Sequence, residues 1–321
     1  MKISFIATVL NEGDNVVRLL NSIINQSKKA DEIIIVDGGS TDSTLSVISN
    51  FILSRIEGQI SNKNIKFKFI VKKGNRAVGR NEAIRQATGN IIVCSDAGCI
   101  LDKNWIEEIT KPFHKLDVDV VSGYYKGKSS NSFEKCIIPY FLVMEDRIDP
   151  NNFFPATRSM AFRKLIWEKV GGFPEKFSNN EDYIFAQNLK KIKAKIVFEK
   201  NAIAYWLPKK NLKEALISFY RFAKGDAESG IFRPKAIIIL MRYLIGLILL
   251  FAFVMLKTYI ILNALCLMLI LYILWSIFKN YKYVKLFAAV YYLPLIQITS
   301  DLAIILGTIE GFSLSKNNNG E

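Results

Sequence analysis

Three apolar runs, at about 236–256, 259–278 and 286–306, set the first limit on what this chain can fold into. Each holds roughly 20 residues, about 30 Å as helix, which is enough to cross a bilayer. Most of the charge lies before residue 235, so a soluble part precedes a membrane part. Arg233 and Lys235 stand before the first run, and Lys279, Lys282 and Lys285 separate the second from the third. The positive-inside rule places both groups on the cytosolic side, and three crossings then put the C-terminus on the outer side. Arg242, Pro294 and Asp301 interrupt the runs. Intramembrane charges face protein or a functional cavity, although a long Arg can also snorkel to the surface.

The soluble part alternates strand and helix signals. Residues 3–10 read as a strand ending in Asn11-Glu12, and 15–27 carry apolar residues at helical spacing. Ile33-Ile-Ile-Val-Asp37-Gly-Gly-Ser is a buried strand that delivers an acid into a glycine turn, with a helix from about 43 to 53. A third strand at 65–71 and a helix after Gly74 lead to a fourth strand at 90–95, which ends in Asp96-Ala-Gly98-Cys99. This order predicts an α/β fold with a mostly parallel sheet. Asp37 and Asp96 then share the sheet edge where open α/β folds bind ligands. Either one alone would also suit an ordinary strand-to-helix turn.

Further along, a helix is expected at 105–113 and a strand at 118–124, while the polar and aromatic residues 125–157 read as loops lining an acceptor channel. A helix at 164–170 closes on Gly171-Gly172-Phe-Pro. Glu181 and Asp182 then fall in a helix's first turn, where compensation of the helix dipole accounts for them on local grounds. Residues 211–225 form an amphipathic helix, suited to a membrane interface or to packing on the soluble part.

Lys and Arg outnumber Asp and Glu by 43 to 29, a net +14 that favours anionic lipid and a phosphate-bearing substrate. No nucleic-acid module accompanies the charge, so nucleic acid is not expected as a partner. Cys94, Cys99, Cys136 and Cys266 lack metal or redox spacing, and His114 is the only histidine, which leaves no histidine triad or zinc cluster to build. The N-terminal apolar stretch is too short for a signal peptide, so the soluble part is expected in the cytosol.

Taken in order, Asn11-Glu12, Val36-Asp37-Gly-Gly-Ser-Thr-Asp42, Gly79-Arg80-Asn81, Ser95-Asp96-Ala97, and Gly171-Gly172-Phe with Glu181-Asp182 resemble the family-2 glycosyltransferases with a GT-A fold. The resemblance covers residues 1 to about 206. It implies a GT-A domain at 1–206, an amphipathic interfacial segment at 207–234, a transmembrane region at 235–310 and a polar tail at 311–321. It further implies an inverting, membrane-bound hexosyltransferase that moves a sugar from a nucleotide-diphosphate sugar to a lipid-linked or other membrane acceptor, in glycan biosynthesis.

By that resemblance Thr8, Asn11, Glu12, Asp37, Arg80 and Asp96 bind the nucleotide sugar, Asp182 is the catalytic base, and Glu181 and Arg221 are accessory or acceptor-side groups. Asp96 would hold Mg2+ or Mn2+, with Gly98 standing where the family's Asp-x-Asp has its second acid. Ser218-Phe-Tyr-Arg221-Phe222 is the nearest match to the Gln-x-x-Arg-Trp of processive polysaccharide synthases, which makes single transfer the first reading and processive synthesis an alternative. Two others stay open. One is a nucleotidyltransferase, against which the acidic Asn11-Glu-Gly-Asp stands; the other is a non-catalytic nucleotide-sugar-binding scaffold.

Overall fold

The computed structural model describes residues 1–57, 65–231 and 233–318. Parts of the expected segments lie outside the described residues: 58–64 of the N-terminal domain, Phe232 of the interfacial segment, and 319–321 of the tail. The chain divides into two compact units, Met1–Lys128 with Leu142–Leu207, and Ser129–Phe141 with Pro208–Glu321.

The first unit is an α/β fold that contains the five expected strands and three further ones, Cys99–Leu101, Met160–Arg163 and Ile196–Trp206. β1 (Ile3–Val9) and β2 (Glu32–Asp37) are almost wholly buried, as continuous Ile and Val runs require. Between them α1 (Asn15–Ile24) turns Val16, Leu19, Leu20, Ile23 and Ile24 inward. α2 (Thr44–Glu57) leads to β3 (Lys66–Val71), whose alternating lysines suit its half-exposed place at the sheet edge. α3 (Arg76–Gln86) starts where the Asn75 side chain accepts the Val78 N–H. β4 (Ile91–Cys94), β5 (Cys99–Leu101), α4 (Trp105–Thr110) and β6 (Val120–Gly127) follow.

α5 (Ser132–Phe141) belongs to the second unit, and the chain returns to the first with β7 (Met160–Arg163), α6 (Lys164–Val170), α7 (Glu181–Lys191) and β8 (Ile196–Trp206). The eight strands run in the order β3-β2-β1-β4-β7-β6-β8-β5. β1 pairs in parallel with β2 and β4, β2 with β3, and β6 with β8; β7 is antiparallel to both β4 and β6, and β5 is antiparallel to β8. The sheet is therefore mixed, and parallel pairings predominate. β8 escaped the periodicity because Glu199, Lys200 and Asn201 interrupt its apolar pattern just where its register against β6 slips.

The second unit is helical: α5, α8 (Leu212–Glu228), α9 (Pro234–Leu256), α10 (Tyr259–Val284) and α11 (Ala289–Asn318). α5 corrects the expectation of loops throughout 125–157. A proline inside it, Pro139, masks the helix signal, yet Cys136 and Ile137 are fully buried with Phe219, Leu293 and Ile296, and that burial outweighs the lost backbone bond. α9, α10 and residues Ala289–Leu314 of α11 are each long and apolar enough to cross a membrane by length and composition. Arg242 does not snorkel. It pairs with the buried Asp301, which also accepts from the Tyr272 hydroxyl (2.7 Å) and the Gln297 amide (2.8 Å).

Candidate active site

Because β2, β1 and β4 are adjacent and parallel, their C-terminal ends deliver three loops to one edge, with Val9 level with Asp37 and Ile6 with Cys94. Strand order reverses between β1 and β4, the place where doubly wound sheets open a crevice. Asp37 is completely buried and organises its own turn. Its Oδ1 accepts the Gly39 and Ser40 amides, both at 2.8 Å, and its Oδ2 accepts the Ser40 hydroxyl at 2.5 Å. Asn11, at φ 53°, donates its N–H to Ser40 Oγ (2.9 Å) and accepts the Thr41 N–H (2.8 Å). The Glu12 and Gly13 amides both donate to Thr44 Oγ1 at 2.9 Å, so the first two loops are stitched together.

α3 crosses close over β1. A Cβ at Gly79 would lie 2.7 Å from Thr8 Cγ2, so only glycine lets the helix approach there. That approach sets the next residue, Arg80, between two acids. Its Nη1 donates to Glu181 Oε1 at 2.5 Å and its Nη2 to Asp96 Oδ1 at 2.9 Å. Arg80 and Glu181 side chains are each 4% exposed, whereas Asp96 keeps 35% of its side chain open. Glu181 is thus an ion-pair partner, which goes beyond dipole compensation.

Asn81 locks the same helix to the loop that leads to these acids. Its Oδ1 accepts Trp167 Nε1–H (3.0 Å) and the Phe173 N–H (2.9 Å), and its Nδ2 donates to the Phe173 carbonyl and to Glu175 Oε1, both at 2.8 Å. Gly171 and Gly172, at φ 85° and 83°, make the turn that brings Phe173 there. The motifs of the sequence therefore gather into two hydrogen-bonded clusters, Asn11 and Glu12 with the Asp37 turn, and Arg80 and Asn81 with Asp96, Glu181 and the Phe173 turn.

Asp182 sits beside Glu181 at the start of α7, and the only hydrogen bond to its carboxylate among the described residues is from the Tyr183 N–H at 2.8 Å. Burial and the Glu181 charge push its pKa above the usual aspartate range, with Asp96 adding and Arg80 and Arg158 opposing. Burial also opposes ionisation of Asp96, but the guanidinium groups of Arg80, Arg158 and Arg76 outweigh it and hold that carboxyl below its ordinary value. Two neighbouring carboxyls are thus driven in opposite directions, a pattern that separates acid–base roles at active sites.

Arg158 was not foreseen. It precedes β7, and its backbone carbonyl accepts the hydroxyl of Ser95, the residue next to Asp96, at 2.9 Å. Its guanidinium lies 5.5 Å from the Tyr125 ring centre and 5.8 Å from that of Trp206, and makes no hydrogen bond or ion pair among the described residues. A single arginine in an unpatterned stretch offered no motif by which to find it. Arg221 is exposed on α8, in the second unit.

Among the described residues no three His, Cys, Asp or Glu side chains gather as a metal cluster. Asp96 nevertheless offers one oxygen outside the Arg80 pairing, and a Cβ at Gly98 would meet nothing within 4 Å, so a hydrated ion has room beside a single carboxylate.

The model of the family described as Glycosyl transferase family 2 matches residues 4–171. Haloferax volcanii Glycosyltransferase AglE is 23% identical over 231 residues, covering 70% of this chain and 73% of that protein. A Staphylococcus epidermidis poly-beta-1,6-N-acetyl-D-glucosamine synthase is 32% identical over 117 residues, covering 36% of this chain; the chain spans only 24% of that relative's length. Two solved structures share the fold. S. aureus TarS bound to UDP-GlcNAc has a TM-score of 0.51 at 19% identity, over 70% of this chain and 66% of that one. Pyrobaculum calidifontis mannosyltransferase PcManGT, solved with GDP-Man and Mn2+, has a TM-score of 0.56 at 16% identity, over 100% of this chain and 88% of that one.

Proposed function

The chain belongs to glycosyl transferase family 2 and is a glycosyltransferase with a GT-A fold, and on that premise we propose that it is an inverting, membrane-bound enzyme transferring single sugars from a nucleoside-diphosphate sugar to a membrane-associated, lipid-linked acceptor. The observation that carries the reading is the meeting of Asp96, Glu181 and Asp182 with Arg80 at the edge where β1, β2 and β4 end. Family membership removes the scaffold and nucleotidyltransferase alternatives, and the absent Gln-x-x-Arg-Trp leaves single transfer ahead of processive synthesis. The setting is the cell membrane, with the catalytic unit on the cytosolic side where Arg233, Lys235, Lys279, Lys282 and Lys285 also lie.

Thr8, Asn11, Glu12 and the Asp37 turn hold the nucleoside. Asp182 takes the proton from the acceptor hydroxyl as its oxygen attacks the anomeric carbon, and the bond from that carbon to the diphosphate oxygen breaks with its electron pair leaving on the phosphate. Arg80 fixes Asp96 and Glu181 and, with them, borders the nucleotide sugar. Arg158, with donors unused, faces the negative charge that grows on the diphosphate. Divalent metals are common among glycosyltransferases of this fold, and Mg2+ or Mn2+ fits here with Asp96 as its protein ligand, where it would neutralise the same leaving charge. Confinement of the acceptor to the bilayer supplies proximity.

UDP or GDP, with Mg2+ or Mn2+ present, should raise the melting temperature of the detergent-purified chain, since saturation at about a hundredfold above Kd adds roughly 2.7 kcal/mol to the folded state. No shift with any nucleoside diphosphate would overturn the reading. For Arg158, exchange to Gln should weaken binding of the diphosphates by roughly ten- to a hundredfold, the scale of one or two charge-assisted hydrogen bonds, while leaving uridine or guanosine binding unchanged. Isothermal titration in chelator separates this from any metal contribution. Equal loss for nucleoside and diphosphate would assign Arg158 a structural role instead.

A further inference from the structure

The two ends of α11 are tied close to the end of α10 and the start of α9. α9 and α10, with 23 and 26 residues, form a helical hairpin about Lys257 and Thr258, so when both cross, Pro234 and Val284 emerge on one face. Ala289 follows Val284 by a few residues and cannot be far from that face. The other end of α11 is anchored through α8. Glu310 accepts from Lys224 Nζ at 2.6 Å and from the Tyr220 hydroxyl. Two residues beyond Lys224, Asp226 accepts both Nε–H (2.5 Å) and Nη2–H (2.8 Å) of Arg233, the residue directly before α9. Glu310 is thereby held near the point where α9 begins.

The contact between α8 and α11 is intimate and long. A Cβ at Gly307 would lie 2.4 Å from the Tyr220 carbonyl oxygen, and one at Gly311 would lie 2.4 Å from that of Lys224 and 2.7 Å from Ala227 Cβ. Only glycine allows this backbone approach, and Phe219 packs against the earlier part of the same helix. α8 carries Lys213, Glu214, Arg221, Lys224, Asp226 and Glu228 within 17 residues. If α11 crossed the bilayer, this charged helix would have to cross beside it, at a cost of several kcal/mol for each unpaired charge in hydrocarbon. Ala289 to Glu310 is about 31 Å of helix, so ends held at one face leave it running along the membrane.

The outward surface of α11 agrees. Tyr291, Ile298, Leu302, Leu306 and Ile309, at steps of seven, four, four and three, are the exposed large apolar residues of one stripe. Gln297, Asp301 and Thr308 are buried along one flank of this stripe. The inward face of α11 also buries Leu293, Ile296 and Ala303, so the exposed stripe is the surface left to meet lipid once α8 covers the other.

We propose that only α9 and α10 cross, and that α8 and α11 form a paired, in-plane surface docked on the lipid interface, in place of the third crossing expected from apolarity. The C-terminal end of α11 then lies on the same side as the catalytic unit. This rests on the membrane-bound reading of α9 and α10. Three single-cysteine labels in the full chain carrying Cys266→Ser, namely Lys2→Cys, Thr258→Cys and Asn318→Cys, test it with a membrane-impermeant maleimide on intact and then permeabilised cells. Positions 2 and 318 should behave alike and opposite to 258. Labelling of 318 together with 258, opposite to 2, would restore three crossings and overturn the proposal while leaving membrane attachment intact. If all three behave alike, α9 and α10 do not cross, and the proposal fails together with the membrane-spanning reading.

Discussion

Asp182→Asn is expected to lower turnover at saturating donor and acceptor by roughly a hundredfold or more, the scale of general-base catalysis, while donor binding survives. Asp182 is the second residue of α7, behind its N-cap Asn180, so a role confined to the helix dipole would leave turnover near normal and lower stability by up to about 1 kcal/mol in Asp182→Asn. The sign of the stability change adds a second readout. Burial and the Glu181 charge raise the folded-state pKa of Asp182 above its unfolded value, so ionisation at neutral pH costs the folded state stability, and Asn removes that cost. The melting temperature of the variant should therefore equal or exceed the parent's. The base acts when deprotonated, so kcat/KM of the parent should rise with pH through a value above the ordinary aspartate range, about 3.9, and this limb should vanish in Asp182→Asn. An unchanged pH limb would remove Asp182 from the chemistry.

Arg80→Leu is expected to destabilise the chain by about 3–5 kcal/mol, because the Glu181 carboxyl, 4% exposed, would lose its partner. For the first unit's size this corresponds to a fall in melting temperature on the order of 10 °C. Arg80→Leu combined with Glu181→Leu should recover much of the loss, since the buried charge leaves with its partner, and the cycle measures the coupling between them. Arg80→Lys should fall between, as an ammonium cannot reproduce a fork that reaches both Glu181 and Asp96. Parental stability in Arg80→Leu would show that the ion pair is not what joins α3 to α7.

The parts of this site that were legible in the sequence are those where local pattern and chemistry coincide. Asp37 and Asp96 each end an unbroken apolar strand, so their edge could be read before their neighbours were known. Gly171 and Gly172 announce a turn because the backbone there is left-handed. What the sequence hid depends on distant partners. Asn81 looks like any helix residue until its amide is seen joined to Trp167, Phe173 and Glu175. Arg158 gains its place from Ser95, Tyr125 and Trp206, far away along the chain. α5 was lost behind Pro139, and β8 behind a polar interruption. In the helical unit, hydropathy reports length and composition, but the pairing of Asp301 with Arg242 and of Glu310 with Lys224 is invisible to it.

A single displacement at the anomeric carbon with Asp182 as the base is tested most directly by the configuration of the first sugar product. Time-resolved proton NMR of the purified chain acting on α-linked UDP- and GDP-sugars, with water or a supplied lipid-linked acceptor, reads that configuration from the anomeric signal. The β-anomer is expected to appear first in the parent, and to appear roughly a hundredfold more slowly in Asp182→Asn. Initial appearance of the α-anomer, or equal rates in parent and variant, would contradict it.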